Sequence, residues 1–223
     1  MPAGLFDEFF GTVGVLDSIR VTVVMSFWST LISSVLGISA GLALERHEFP
    51  GKRLVVRINR TLMGAPPVVI GLVTYMLLRK KGPFGGLRLV FTIRGMVIAQ
   101  VLIITPIICG MVYTYARRSA PEIRQFAHIM GADRRQTARL LLSEMKNEIY
   151  FAIISGYGRS ISEVGAVFLV GGNIKNSTRT MTTAISTLKG AGDYNEGLFL
   201  GAVLMLMAFA AQTLADHFRK EAQ

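Results

Sequence analysis

The sequence has one cysteine, Cys109, set inside an apolar run. No disulfide can form within the chain, and the position reads as a small buried apolar residue. Its three histidines, His47, His128 and His217, lie far apart, and neither a His-Glu-x-x-His nor a paired-cysteine spacing occurs. A metal site is therefore not expected. There is no Gly-x-x-x-x-Gly-Lys-Ser/Thr phosphate loop either, so any ATP must bind another chain; Gly82 to Gly86 reads as a turn. Charge is scarce, at 17% of residues, and lies mostly between apolar runs. The runs hold no Ser–His or Asp–Asp pair, which excludes an intramembrane protease. A carrier driven alone by protons or ions would want more ionisable groups in them than the one pair Arg159 and Glu163.

What the chain has instead is apolar length. It has 223 residues, 51% of them hydrophobic, with a mean hydropathy of +0.47. Crossing the ~30 Å hydrocarbon core takes about 20 apolar residues as helix. Five such spans are expected, at about 19–44, 62–78, 96–116, 149–170 and 198–214, giving an all-α integral membrane protein with one domain over 1–223. The first is expected to serve as an uncleaved insertion signal, because the acidic stretch Met1–Asp17 lacks a signal peptide's basic start. No regulatory domain is expected after the fifth.

The net charge of +10 fits basic loops beside spans better than a nucleic-acid face, which would want aromatics between its cations. With the N-terminus outside, the segments 45–61, 117–148 and 215–223 face inward and hold fourteen Lys and Arg, against nine in the outward segments. The positive-inside rule thus favours a cell-membrane protein with N-terminus outside and C-terminus cytoplasmic. The outward basic residues Arg79, Lys80, Lys81, Arg88 and Arg179 could concentrate an anion or dock an acidic protein. Ser29, Ser33, Gly37 and Gly41 form a ridge of small residues, for packing within the chain or between two copies.

Between the third and fourth spans lies an elbow, about 119–146. Ser119-Ala-Pro-Glu122 has the form of a capping box, predicting a helix start there. Ile123, Phe126, Ala127 and Met130 follow as an apolar stripe. Gly131 is placed for a left-handed helix stop, and Asp133 with Gln136 predicts a second start. A second helix, about 134–146, carries Ala138, Leu141, Leu142 and Met145 on one side and is flanked by Arg124, Arg134, Arg135 and Arg139. Such an elbow suits either a membrane surface or a groove on a cytoplasmic partner. It resembles the coupling motif of bacterial binding-protein-dependent ABC importers, Glu-Ala-Ala, three residues, Gly, nine residues, Ile-x-Leu-Pro. Gln125, Phe126 and Ala127 precede Gly131 at that spacing, and Leu141 takes the Ile position. Ser143 and Glu144 replace Leu-Pro, so the proline is missing.

The fourth span contains Arg159 and Glu163, four residues apart, as an ion pair fixing helix packing or as a gate in a pathway. Gly156, Gly158, Ser160, Ser162 and Gly165 would allow close approach around it. Pro66, Pro67 and Pro106 either shape helices or unwind backbone along a pathway. The candidate pathway set is Pro66, Pro67, Arg159, Ser162 and Glu163. This region resembles the oxyanion branch of the importer family, the tungstate permeases most closely. Arg159, Ile161, Ser162, Glu163 and Gly165 match their Arg-x-Ile-Ser-Glu-Val-Gly-Ala. Gly171, Gly172 and Asn173 match Gly-Gly-Asn-Ile, and Arg179, Met181 and Thr183 match Thr-Arg-x-Met-Thr-Thr-Ala-Ile. The double proline in Met63 to Gly71 is also typical of that branch.

The resemblance implies a type I ABC importer permease fold of five transmembrane helices with a cytoplasmic coupling helix. It implies a transport subunit with no catalytic site, importing tungstate, or else molybdate or sulfate. The coupling residues would be Ile123, Phe126, Ala127, Met130, Gly131, Ala132 and Asp133. The partners would be two ATP-binding cassette subunits holding ATP and Mg, an extracytoplasmic oxyanion-binding protein and a second copy of the chain. The chain itself would bind no cofactor.

Overall fold

A computed structural model of the chain describes residues 14–220. The acidic start read at Asp7 and Glu8 lies outside the described residues. Regular structure among them is helical: α1 (Val15–Arg46), α2 (Lys52–Met63), α3 (Pro67–Leu78), a short 3-10 turn (Gly85–Leu87), α4 (Ile93–Ile129), α5 (Arg134–Glu144), α6 (Lys146–Ile161), α7 (Gly165–Gly171), α8 (Met181–Ala191) and α9 (Tyr194–Lys220).

The helix surfaces are inverted relative to a protein made for water. On α1 the bulky residues Phe27, Trp28, Leu31, Val35 and Leu36 are exposed, while Ser26, Ser29, Ser33, Gly37 and Gly41 are buried. Lipid solvates the outer face, so association must come from close backbone approach and polar contacts rather than from apolar burial. The small ridge faces α4: a side chain at Gly37 would meet Ile108 Cβ at 2.8 Å, and one at Gly41 would meet the Cys109 carbonyl oxygen at 2.8 Å. The ridge therefore packs within the chain.

Three helices, α1, α4 and α9, are each long and apolar enough to cross a membrane, and the total is up to five if the bent pairs α2–α3 and α6–α7 each count as one span. The first, third and fifth expected spans are present as α1, α4 and α9 with different bounds; the second and fourth fall on α3 and on α6–α7, while most of α2 lies in the stretch 45–61 expected as a loop. The second is broken at 64–66, where α2 meets α3 at 103°. Pro66 is extended and Pro67 opens α3, so the helix cannot run through. The fourth is broken at 162–164 and bends by 60°. The fifth is longer than expected at both ends, and α8 was not expected at all.

The expected helix start at Ser119 is absent: α4 runs on through Pro121 to Ile129. Ile104, Ile108, Val112, Ala116 and Ala120 recur every fourth residue and are buried together with Leu141, Met145 and Ala152. That continuous stripe outweighs the loss of one backbone bond at Pro121, about 3 kcal/mol in an isolated helix. Pro106 is likewise accommodated inside α4, and the Asn59 side-chain amide donates to its carbonyl oxygen at 3.1 Å.

α3 and α7 cross through facing glycines. A Cβ at Gly71 would lie 2.5 Å from Ala166 Cα, and one at Gly165 would lie 2.5 Å from Val68 Cγ2. The first obstacle is backbone and cannot rotate away. Gly71→Ala is expected to destabilise the folded chain by about 1–3 kcal/mol through overpacking. Thermal unfolding in detergent checks this, and an unchanged midpoint would refute the close crossing.

Candidate functional site: two helix breaks and an elbow

The first site is where the two broken spans meet. Arg159 lies in the last turn of α6, and its Nη1 contacts Glu163 Oε2 at 2.8 Å. The Glu163 side chain is 3% exposed and that of Arg159 34%. Glu163 is not on the helix with Arg159 but in the break beyond it, where its Oε1 accepts from the Ala166 N–H at 3.1 Å at the start of α7. Its carbonyl oxygen accepts from the Thr182 hydroxyl at 2.8 Å. One residue thus neutralises a cation, satisfies a free N–H of α7 and ties in α8. Ser162 is exposed in the same break, and its hydroxyl donates back to the Gly158 carbonyl at 3.0 Å. Pro66 and Pro67 enter from the other broken span through the α3–α7 crossing.

Buried hydrogen bonds brace this region. The Ser29 and Ser160 hydroxyls lie 3.0 Å apart, and the Gln100 side-chain amide donates to the Ser160 carbonyl at 3.2 Å. The Met181 N–H donates to the Thr22 hydroxyl at 2.9 Å. Such interhelical bonds hold the ends of the break fixed from α1, α4 and α8.

The second site is the elbow. α4 ends with Gly131 at φ +69°, a left-handed stop that costs glycine nothing. The Ala132 N–H reaches back to the Ala127 carbonyl at 2.9 Å, closing the turn. Asp133 then caps α5: its Oδ1 accepts from the Arg135 and Gln136 N–H groups, both at 2.7 Å, and Gln136 Oε1 accepts from the Asp133 N–H at 2.7 Å. Both ends are thus set chemically, and the turn between them is tight. The Arg124 guanidinium grips both carboxylate oxygens of Glu45, at 2.9 and 2.5 Å, fastening the elbow to the end of α1.

The predicted stripe divides. Ala127 is buried, and Ile123 packs against the main core cluster. Phe126 and Met130 stand 58% and 69% exposed, joined by Ile129 at 75%. Leu141 on α5 and Met145 just after it turn inward, while Arg134, Arg135 and Arg139 are exposed. The elbow therefore presents three large apolar side chains beside a ring of arginines, a pattern suited to a groove with an acidic rim.

Residues 33–220 match the family described as the binding-protein-dependent transport system inner membrane component. The chain belongs to that family. It is 35% identical over 203 residues, 91% of its own length and 89% of the relative's, to a tungstate uptake system permease protein of Peptoclostridium acidaminophilum. It is 33% identical, over 94% of both chains, to a probable anion ABC transporter permease protein of Haloferax volcanii. A sulfate transport system permease protein of Synechocystis is 27% identical over 89% of this chain and 74% of that one. Among solved structures, that of an amino acid ABC transporter with histidines superposes with a TM-score of 0.67, covering 93% of each chain at 13% identity. That likeness establishes the fold, an all-helical type I permease. An inner membrane component of this architecture is a multi-pass protein of the cell membrane.

For this permease, the coupling residues named from sequence do fall together around Gly131, and the five pathway residues fall at the two breaks. Two residues at these places were not among those named from the sequence. Ile129 is off the stripe by one residue, and only the true end of α4 places it at the tip. Thr182 belongs to α8, whose Thr180 and Thr183 form a capping box. The pattern Thr-Met-Thr-Thr announces that helix start in the sequence.

Proposed function

We propose that this permease imports a tetrahedral oxyanion, tungstate first, across the cytoplasmic membrane, with ATP hydrolysed by separate subunits. The observation that carries this reading is the 35% identity to a tungstate uptake permease over 91% of the chain, a stretch that includes the Arg159 break. Arg159, about one-third exposed and paired with Glu163, supplies a guanidinium at an interrupted span, where unwound backbone is tolerated because protein or water surrounds it. The elbow faces the cytoplasm, and Phe126, Ile129 and Met130 seat in a cleft of an ATP-binding cassette subunit, which holds ATP and Mg. Two permease copies pair with two such subunits, and an extracytoplasmic binding protein delivers the anion to the opposite face. The N-terminus is outside and the C-terminus cytoplasmic.

Closure of the ATPases on ATP moves the two elbows. The rigid Gly131–Asp133 turn and the Arg124–Glu45 bridge pass that motion to α4 and α1. The breaks at 64–66 and 162–164 are the places where spans reorient, so access alternates between sides. The chain needs no catalytic group for this.

The test is ATP hydrolysis by the reconstituted complex with its binding protein, on adding tungstate, molybdate or sulfate. Stimulation by tungstate at the lowest concentration is the expected result. Stimulation by molybdate or sulfate instead would keep the transport class and reassign the anion, a reading the sulfate relative favours. Hydrolysis unresponsive to all three in an assembled complex would reject oxyanion import.

A further inference from the structure

A cavity of about 790 Å³ opens between the end of α1, the length of α2 and the elbow half of α4. Lys52, Arg53, Arg57 and Arg60 line it from α2, and Arg117 from α4. Two carboxylates reach it, Glu45 and Glu48, and both are engaged. Arg124 holds both oxygens of Glu45. Lys52 Nζ donates to Glu48 at 2.6 Å and holds that carboxyl below its usual range, with a smaller contribution from the Arg117 charge. Arg117 donates to the Tyr113 hydroxyl at 3.1 Å and forms no ion pair among the described residues. The side chains of Arg53, Arg57 and Arg60 make no hydrogen bond or ion pair among the described residues.

These three arginines recur at i, i+4 and i+7, on one side of α2. Leu54, Val55, Ile58 and Leu62 occupy the other side and are exposed. With α3 in a span, the 103° bend lays α2 across the membrane normal. Its apolar side then rests in lipid and its arginines face the cavity, at headgroup depth. Planar guanidinium forks bind pairs of oxygens on a tetrahedral anion two at a time.

We propose that the α1–α2–α4 cavity is a binding site for a tetrahedral oxyanion, held by Arg53, Arg57 and Arg60 with Arg117 behind them. Two sources share this chemistry. One is a free oxyanion leaving the transport path, an assignment that rests on the import reading. The other is the phosphate of an anionic lipid, which does not.

The probe is sodium tungstate, measured by equilibrium dialysis against the full chain in nanodiscs. Discs of phosphatidylcholine alone are compared with discs containing phosphatidylglycerol. In phosphatidylcholine, the Arg53→Gln/Arg57→Gln/Arg60→Gln variant should bind at least about tenfold more weakly than the wild type, since charged hydrogen bonds are lost. Glu48→Gln, at an exposed carboxylate, should tighten binding roughly two- to tenfold by removing the competing charge. If phosphatidylglycerol displaces tungstate from the wild type but not from the triple variant's residual site, the occupant is lipid. If tungstate binding is unaffected by phosphatidylglycerol, the occupant is the free anion. Equal tungstate binding by the wild type and the triple variant overturns the site, and so does a Glu48→Gln variant with unchanged affinity should the triple variant not fold. The assay uses neither ATP nor a binding protein, so its failure is distinct from a failure of oxyanion-stimulated hydrolysis.

Discussion

Glu163→Ala is expected to unfold this permease at a markedly lower temperature, with a loss of about 3 kcal/mol from leaving Arg159 without its partner at a largely apolar depth. The same change removes the acceptor for the Ala166 N–H, worth about 1 kcal/mol more as a lost helix cap. The partial exposure of Arg159 keeps the first figure at the low end of the range for buried pairs, about 3–5 kcal/mol. Arg159→Met/Glu163→Leu should regain most of the stability, because the penalty comes from the orphaned charge rather than from lost attraction. Transport should nevertheless stay absent in the double variant, since the guanidinium at the break is gone. Thermal unfolding and anion uptake into proteoliposomes read the two separately. Wild-type uptake by the double variant would reduce the pair to a packing device.

Phe126→Ala separates folding from coupling. The side chain is mostly exposed, so the unfolding midpoint should move by no more than about 0.5 kcal/mol equivalent. Docking of the ATPase should weaken by about 2 kcal/mol, roughly 30-fold, as for an aromatic anchor at the centre of an interface. Gly131→Ile should act at the same place by a different cause, since a β-branched residue is strained at φ +69° and the turn must open. Co-purification of the ATPase with each variant measures both. A Phe126→Ala permease that retains its ATPase at wild-type affinity would move the docking site off the elbow.

Much of this could be read from residue order. Three of the five apolar lengths as single long helices, the Pro66-Pro67 interruption, the stop at Gly131 and the start at Asp133 are all present in the structure, because each is decided by local chemistry. What could not be read is decided by contacts between distant segments. Ser119-Ala-Pro-Glu122 carries every local mark of a helix start. It is overridden because Ala116 and Ala120 continue a buried stripe that closes on Leu141 and Met145 from the other arm of the elbow. Arg159 and Glu163 are correctly paired by spacing, yet Glu163 sits in a break past the helix of Arg159, where Thr182, nineteen residues on, donates to its carbonyl. Residues 52–63 alternate basic and apolar groups with helical period, a signal available in the sequence. Its mean apolarity is too low for a span, because one whole side of the helix is charged.

The uninterrupted run of α4 has a mechanical consequence. Its 37 residues extend about 55 Å at 1.5 Å per residue, well beyond the ~30 Å of hydrocarbon it crosses. Such an element works as a lever arm: a tilt of about 10° around its middle sweeps the tip through about 5 Å, close to one helical turn. Had Pro121 broken it, a push at Phe126 would have been absorbed at the joint. Because it does not, small movements at the pivot and large ones at the elbow belong to one continuous helix, and on the coupling proposed above a stroke of several ångströms at the elbow would arrive near the pivot as a shift of a side chain's width.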